Sequence, residues 1–371
     1  MNWSLPIAKV KGIHIRVHVT FALVLVWAAF DWGVRQGLGL TGAFYGISII
    51  SLLFLCVTLH ELGHSLVAMH YGAHVHDITL LPIGGVARME SEMAHPAQEF
   101  WMALSGPAVN LVLAIALGAA AMPLLGWRAL GGLSVLLNRL STPSLEKLLV
   151  DLVTANVGLA VFNLLPAFPM DGGRILRALL ASRMGQLNAT HLATRIGQGL
   201  ALLLGVIGLF SGAINLMLIA TFIFIGAQQE WRGTQLKIAL QHVPASAALI
   251  RGGIALSPHE PLARAIDVSL RTTQSDFAVF DQGYLVGVLT RDDVAQGFQQ
   301  HGPHVPVRRV MRTDFPAAQV NESLLDLQRK MQSSGSSVIS VSQGGRFLGL
   351  ATLESVRKAL QLSSPRRWQP V

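Results

Sequence analysis

The sequence predicts a polytopic α-helical membrane protein followed by a soluble α/β domain. Of its 371 residues, 51% are hydrophobic and 13% are charged, and the mean hydropathy is +0.50. Apolar residues form nearly continuous blocks over residues 17–230, whereas residues 231–371 have the charge and alternation of a water-soluble domain. This composition is typical of an integral membrane protein with a soluble extension and not of a soluble enzyme.

About six transmembrane helices are expected in the apolar part. The first four fall near residues 17–30, 43–70, 100–125 and 148–168. The run 196–227 would be about 48 Å long as a single helix, whereas the hydrocarbon core is about 30 Å thick. We therefore expect this run to cross twice, with a turn near Ser211–Gly212.

Basic residues indicate the orientation in the membrane. Lys and Arg are enriched on the cytoplasmic side of membrane proteins, and the chain has a net charge of +8. Basic residues occur in the lead segment 1–16, in a loop expected after the fourth span, and around Arg232. The N-terminus and the soluble domain are therefore expected in the cytoplasm. Residues 1–16 show no signal-peptide cleavage pattern, and no zinc-finger or arginine-rich pattern indicates a nucleic-acid partner.

The soluble part contains an internal duplication. FAVFDQGYLVGVLTRDDVAQGF and SVISVSQGGRFLGLATLESVRKAL each predict a strand, a glycine-containing turn, a strand that ends in Thr, and a helix. The expected domains are a transmembrane domain at 1–230, a linker at 231–243, repeats at 244–300 and 306–362, and a tail at 363–371.

Residues 74–92 are expected to form a short membrane-associated β-hairpin. The segment alternates, contains Thr, Ile and Val, and has Pro82 and Gly84–Gly85 where a turn would lie. It is too short and too interrupted to span. His74 and His76 would share one face of a strand, where we interpret them as interfacial polar residues rather than metal ligands.

The second predicted span contains HELGH, which places His60, Glu61 and His64 in a segment of membrane-spanning length. Positions four apart share one face of a helix, so both imidazoles can reach a single metal ion. Glu61 lies beside them, where it can take a proton from a metal-bound water. Ionisable residues are costly at membrane depth and are rarely there without a function. The alternative is a buried polar network that stabilises the bundle.

A catalytic zinc site needs a third protein ligand, and Asp171 is the best candidate. Pro166, Pro169 and the pair Gly172–Gly173 would break the fourth helix beside it, and irregular backbone at membrane depth is tolerated where it lines a wet cavity. Asp171 could instead cap the next helix. Asn163 could hydrogen-bond a scissile carbonyl or oxyanion, or could hold two helices together. The spacing leaves both roles open.

Taken together, the motifs resemble the site-2 protease family of intramembrane zinc metalloproteases. The resemblance rests on HELGH in the second span, SGPAVN in the third, and NLLPAFPMDGG after the fourth. It implies one zinc ion per chain with His60, His64 and Asp171 as ligands. It also implies that Glu61 is the general base and that Asn163 orients the substrate or stabilises the oxyanion.

Residues 244–362 are similar to a pair of CBS domains, a combination found in one branch of that family. In GVLTRDD, Thr290 and Asp293 match positions that contact ribose and phosphate in nucleotide-binding CBS repeats, which implies an adenine nucleotide (ATP, ADP or AMP) as ligand. The second repeat reads GLATLES and has Ser355 where an acid is usual. Alternatively, Thr290 and Asp293 are ordinary residues of a strand–turn–helix unit, with Asp293 opening the helix.

The expected function is that of a zinc-dependent intramembrane endopeptidase that cleaves a membrane-anchored protein in or near the lipid bilayer. The resemblance implies that the 74–92 hairpin presents an extended substrate, that the CBS pair senses nucleotide and could form a homodimer, and it leaves the role of Asn110 open. One alternative is a CBS-regulated transporter or channel whose His/Glu/Asp set carries ions or protons. Another is a catalytically silent scaffold that binds membrane segments.

Overall fold

The structure is a computed structural model that describes residues 3–82, 84–89, 95–126 and 142–363. It divides into two compact units, Met1–Arg232 and Gly233–Val371. The boundary falls within the predicted linker 231–243, which is helical almost to its end. Residues 364–371 of the predicted tail lie outside the described residues.

The first unit is built mainly from helices. In chain order they are α1 (Phe21–Phe30), a π-helical segment (Asp31–Arg35), α2 (Gly39–His70), α3 (Pro96–Leu125), α4 (Leu145–Asn163), α5 (Asp171–Ser211) and α6 (Ile214–His242). Within the described ranges, three helices are long and apolar enough to cross a membrane, and these are α2, α3 and α5. The larger number of crossings expected from sequence stays a prediction.

The N-terminal region differs from the prediction, because strands precede a short first helix. The sequence favoured a span from Val17 to Phe30, but Val17 belongs to strand β2 (Ile13–His18), which pairs with β1 (Ser4–Val10). The alternation of IHIRVH, in which Ile13 and Ile15 are buried, is the strand signal that the adjoining apolar run obscured. Helix α1 itself has 10 residues and is about 15 Å long, half the thickness of a membrane core.

The predicted hairpin is present as strands β3 (Val75–Leu81) and β4 (Gly84–Met89), which pair in antiparallel fashion. It does not stand alone, because β3 also pairs in parallel with β2 to complete a 4-stranded sheet in the order β1-β2-β3-β4. Ile13, Ile78 and Leu80 from this sheet form a buried cluster with Phe54 of α2. The sheet is therefore fixed against the helix that carries HELGH.

The prediction of a basic loop after the fourth span is wrong, since residues 171–211 form helix α5. Its basic residues lie within this helix, and the chain is helical on both sides of a kink at Gly185, where φ is 77° and ψ is 161°. The turn expected near Ser211–Gly212 is confirmed. Gly212 adopts a left-handed conformation after the last residue of α5, a common way to end a helix, and α6 begins at Ile214.

The second unit shows the duplicated pattern. The first copy contains α7 (Leu262–Arg271), β5 (Phe277–Asp281), β6 (Tyr284–Leu289) and α8 (Arg291–His301). The second contains β7 (Ala317–Gln319), α9 (Leu324–Ser334), β8 (Val338–Gln343), β9 (Arg346–Thr352) and α10 (Leu353–Ser363). In each copy two consecutive strands pair as a hairpin before the final helix.

The core of each repeat includes a segment that lies outside the strands and helices of that repeat. Ala245 and Ala248 are buried in one cluster with Leu324 and Ile339 of the second copy. In the same way, Val307 is buried with residues of the first copy. The two repeats are thus interlocked within the second unit, and each core depends on chain that precedes the other copy.

Candidate metal centre

Three side chains predicted as metal ligands converge in the first unit. His60 and His64 lie one turn apart on α2, and Asp171 is the first residue of α5. The His60 and His64 Nε2 atoms are 3.1 Å apart, and Asp171 Oδ2 lies 3.3 Å from His60 Nε2 and 3.2 Å from His64 Nε2. Among the described residues, this is the one group of three His, Cys, Asp or Glu side chains close enough to share a metal ion.

The spacing of these atoms fits zinc. Bonds of about 2.0–2.1 Å and tetrahedral angles place neighbouring ligand atoms about 3.3–3.4 Å apart. The three observed separations, 3.1, 3.2 and 3.3 Å, are at or slightly below this edge length. Two imidazole nitrogens and one carboxylate oxygen are also a donor set that zinc accepts in catalytic sites with an open fourth position.

The backbone of α3 sets the orientation of His64. Its Nδ1 lies 2.6 Å from the carbonyl oxygen of Met102. A carbonyl can only accept, so Nδ1–H donates this hydrogen bond and the lone pair of Nε2 faces the other two ligands. His64 is 7% exposed. The ring is therefore held in the tautomer that a metal requires.

Gly106 explains why α3 can approach both histidines. A methyl group built on Gly106 would lie 2.2 Å from His64 Nε2 and 2.7 Å from His60 Cε1. Gly63 on α2 also packs closely on α3, since a methyl group there would lie 2.9 Å from Val109 Cγ2 and 3.2 Å from the Ser105 carbonyl oxygen. Both glycines let the backbones of α2 and α3 approach at the level of the site.

Asn110, whose role the sequence left open, contacts the other histidine. Its side chain is fully buried, and Nδ2 lies 3.1 Å from His60 Nδ1. Its Oδ1 atom is buried without a hydrogen-bond partner among the described residues. Asn110 follows Gly106 by four positions, so both lie on one face of α3. That spacing within SGPAVN is a sequence signal that could have placed it at the site.

The helix break that carries Asp171 is confirmed. Helix α4 ends at Asn163 and α5 starts at Asp171, with Phe168 fully buried between them. Side chains at Gly172 and Gly173 would collide with the backbone of this connection, at 2.2 Å from the Leu165 carbonyl oxygen and 2.7 Å from the Ala167 carbonyl carbon. Asp171 does not cap the helix and instead faces the histidines, where the N-terminal end of the α5 dipole favours a carboxylate.

An ion-pair cluster that sequence reasoning missed holds the same end of α5. Arg177 donates through Nε to Glu99 Oε1 at 2.7 Å and through Nη1 to Glu230. Its guanidinium also lies over the ring of Phe168, 5.1 Å from the centroid. Arg177 thus joins α3, α5, α6 and the helix break. The residues of this cluster are far apart in sequence.

Glu61 lies within electrostatic range of all three candidate ligands. Strand β4 passes over it, because a methyl group on Gly85 would lie 2.6 Å from Glu61 Cγ. Asn163 is half-buried at the end of α4. Among the described residues, no hydrogen bond joins Asn163 to the three candidate ligands.

In the second unit, Thr290 and Asp293 close a helix N-terminus. Thr290 Oγ1 accepts from the Asp293 backbone N–H at 3.2 Å, and Asp293 Oδ2 accepts from the Thr290 N–H at 3.0 Å. Arg312 also donates through Nε to Asp293 Oδ1 at 2.9 Å. Thr352 and Ser355 form the corresponding cap in the second copy. The first pair therefore has the helix-opening role that the alternative interpretation described.

A cavity of about 680 Å³ lies beside the second of these caps, not the first. Thr352 and Ser355 line it, whereas Thr290 and Asp293 do not. Arg251 and Lys358 supply two cations to its wall, Asp276 supplies a carboxylate, and Phe347 supplies an aromatic ring. Glu354 also lines it, and its hydrogen bond to the Lys358 ammonium lowers the pKa of that carboxyl.

Comparison with known proteins agrees with the geometry. The model of peptidase family M50 matches residues 48–204, and the CBS domain model matches residues 307–362. Zinc metalloprotease MJ0392 of Methanocaldococcus jannaschii is 31% identical over 366 residues, which are 98% of this chain and 97% of that protein. Stage IV sporulation protein FB of Bacillus subtilis is 28% identical over 184 residues, 48% of this chain and 57% of that protein.

Among solved structures, the site-2 protease from Methanocaldococcus jannaschii is 37% identical. The match covers 62% of this chain and 95% of that chain, with a TM-score of 0.42.

The fold and the donor set define a membrane-associated zinc metalloprotease. The chain belongs to peptidase family M50, the site-2 protease family, and carries a CBS domain in its second unit. It is therefore an enzyme with a protein substrate, and the transporter and scaffold alternatives are not supported.

Proposed function

We propose that the protein is an intramembrane endopeptidase that hydrolyses a membrane-anchored protein, with one zinc ion per chain held by His60, His64 and Asp171. The observation that carries this proposal is the triangle of ligand atoms, 3.1, 3.2 and 3.3 Å on its sides. Two of its corners come from α2, a helix of membrane-spanning length. The third comes from the helix break, where irregular backbone can admit water.

The chemistry divides among the residues around this triangle. Zinc bound there supplies an activated water and polarises the scissile carbonyl. Glu61 takes the proton of the attacking water and passes it to the leaving amine. Asn163, at the rim of the break, donates a hydrogen bond to the scissile carbonyl or the oxyanion. Asn163→Ala is expected to lower cleavage without changing zinc content.

The substrate binds as an extended strand beside β4. Strands β1 and β4 are the two edges of the sheet, and exposed edges accept an added strand. The β1 edge contains Pro6 and a register shift, both of which disfavour pairing. Edge strand β4 has no proline within Gly84–Met89, and its Gly85 packs on Glu61. A strand added to β4 would therefore pass the general base.

The topology we propose has six crossings. They are α1 with its π-helical extension, α2, α3, α4, the part of α5 after Gly185, and the apolar part of α6. An even number returns the chain to its starting side, and the basic residues Lys9, Lys11 and Arg232 favour the cytoplasm for that side. The CBS unit is then cytoplasmic, and the substrate is cut in or near the bilayer.

The CBS pair binds an adenine nucleotide that regulates the protease. The support is the 680 Å³ cavity beside Thr352 and Ser355, a volume within the usual range for small ligands. Arg251 can contact a phosphate and Phe347 can contact a base, while Lys358 is already paired with Glu354. Contact of nucleotide with Thr290 and Asp293, and dimerisation through this unit, stay predictions.

Zinc content and cleavage of a membrane-anchored peptide, measured on purified full-length protein in liposomes, test the protease proposal. Wild type should bind about one zinc ion and cleave, while Glu61→Gln should bind zinc and lose about 10²–10⁴-fold in rate. His60→Ala should lose both properties. The control is His70→Ala, an exposed histidine at the end of the same helix, which should keep both. Equal cleavage by Glu61→Gln, or zinc absent from wild type, would overturn the proposal.

A further inference from the structure

The contact between Asn110 and His60 carries an inference beyond the ligand set. The Asn110 amide nitrogen lies 3.1 Å from His60 Nδ1, the ring atom that points away from the ligand triangle. Asn110 is 0% exposed, and its Oδ1 has no hydrogen-bond partner among the described residues. The Oδ1 atom of Asn156 in α4 is unpaired in the same way, so the feature that distinguishes Asn110 is its contact with a candidate ligand.

The chemistry of imidazole gives this contact a function. A neutral imidazole carries its hydrogen on one nitrogen only. His60 must present the lone pair of Nε2 to a metal, so its hydrogen is then on Nδ1, which needs an acceptor. A half-turn of the Asn110 amide exchanges its nitrogen for its oxygen, and these atoms are distinguished only by their hydrogen bonds. The oxygen then accepts from Nδ1–H.

We propose that Asn110 is a positioning residue for His60, whose side-chain oxygen accepts from Nδ1–H and fixes Nε2 toward the zinc ion. It acts on His60 as the Met102 carbonyl acts on His64, where Nδ1 and the oxygen are 2.6 Å apart. A main-chain carbonyl can only accept. Asn110 can also donate, so it can satisfy His60 in either tautomer, with and without metal.

The rival explanation is that Asn110 merely links α2 to α3. Polar side chains commonly hold membrane helices together. Asn156 provides a matched control, since it is also 0% exposed, lies in α4 and reaches α2 by donating to Cys56 Sγ at 3.3 Å. Within the described part of the chain, its hydrogen bonds go to Cys56 and Leu152 and not to a candidate ligand. A general loss of helix contact should therefore affect both asparagines alike, whereas loss of positioning should affect Asn110 alone.

The experiment is a zinc titration against a competing chelator on the full-length protein in detergent. Asn110→Leu, which can neither accept nor donate, should bind zinc about 10–100-fold more weakly than wild type. Asn110→Asp keeps an acceptor of the same shape and should bind zinc within about threefold of wild type, because carboxylates serve this role for other zinc-bound histidines. Asn156→Leu should also stay within about threefold.

Zinc binding by Asn110→Leu as tight as wild type would overturn the inference, as would equal losses in Asn110→Leu and Asn156→Leu. If Asn110→Leu does not fold, the comparison of Asn110→Asp with Asn110→Ser decides, since the shorter hydroxyl cannot reach Nδ1 and should weaken binding. The inference rests on the proposed zinc site. Zinc absent from wild type means that the site itself fails, whereas zinc in wild type with no effect at position 110 refutes the positioning role alone.

Discussion

Replacing Arg177 with Met should destabilise the site without touching a candidate ligand. The side chains of Arg177 and Glu99 are each 11% exposed, whereas that of Glu230 is 31% exposed. Removing one partner of a buried ion pair typically costs about 3–5 kcal/mol because the other charge is left without compensation. The half-exposed Glu230 adds at most about 1 kcal/mol. Methionine keeps most of the contact with Phe168, so the loss is chiefly electrostatic.

This cost falls at the start of α5, where Asp171 stands. Suppose that about a third of this destabilisation, about 1.4 kcal/mol, must be supplied by zinc binding to order the first turn of α5. Zinc affinity would then fall about tenfold. The melting temperature of the zinc-free protein should fall by at least about 6 °C, taking about 2 °C per kcal/mol for a unit of this size. Thermal unfolding in detergent and a zinc titration measure the two effects separately.

Two further variants make the reasoning on Arg177 refutable. Arg183→Met removes an exposed arginine from the same helix and should change stability by less than about 0.5 kcal/mol. Glu99→Gln combined with Arg177→Met should cost less than the sum of the two single changes, because the double variant leaves no unpaired carboxylate at position 99. Strict additivity, or a loss below about 1 kcal/mol in Arg177→Met, would refute the buried-pair argument.

Three other changes have defined outcomes. Gly106→Ala should abolish zinc binding, since its methyl group would lie 2.2 Å from His64 Nε2; Gly118→Ala on the same helix, with its nearest neighbour at 4.0 Å, is the control in a metal assay. Gly85→Val should retain zinc but lose cleavage, because its side chain would displace Glu61, and unchanged peptide hydrolysis would contradict this. Arg251→Ala should weaken ATP or AMP binding to the full chain about tenfold, as measured by calorimetry, while Arg271→Ala outside the cavity should not.

The ligand triangle was predictable from sequence because each part has a local signal. His60 and His64 are one turn apart in a fixed motif, and Asp171 stands where two prolines and two glycines must break a helix. What the sequence did not show is the contact of Arg177 with Glu99 and Glu230. These residues are 78 and 53 positions apart along the chain, and an acid in a helix looks the same whether it is paired or solvated.

The prediction of the sheet was limited in the same way, because local sequence does not show which distant segments pair. Residues 74–92 were recognised as a hairpin because their turn and alternation are local. The parallel pairing of Ile15 with Ile78 joins segments on either side of α2 and has no local signature. Val17 was assigned to a membrane span because the apolar run after it hides the end of the strand. The segments exchanged between the two repeats of the second unit, such as Ala245 and Val307, were missed for the same reason.

Helix α3 supplies none of the three candidate ligands, yet it contacts His60, His64 and the arginine near Asp171. The Met102 carbonyl orients His64, Asn110 reaches His60, and Glu99 holds the arginine that anchors the start of α5. These positions and Gly106 are spaced by three, four and four residues, so they form a single face of the helix. A zinc ion held as proposed by His60, His64 and Asp171 would therefore depend on the rotation of a third helix about its own axis. In the SGPAVN motif, the glycine lies where the imidazoles approach, and the asparagine lies beside His60 Nδ1, where we propose that its oxygen accepts a hydrogen bond.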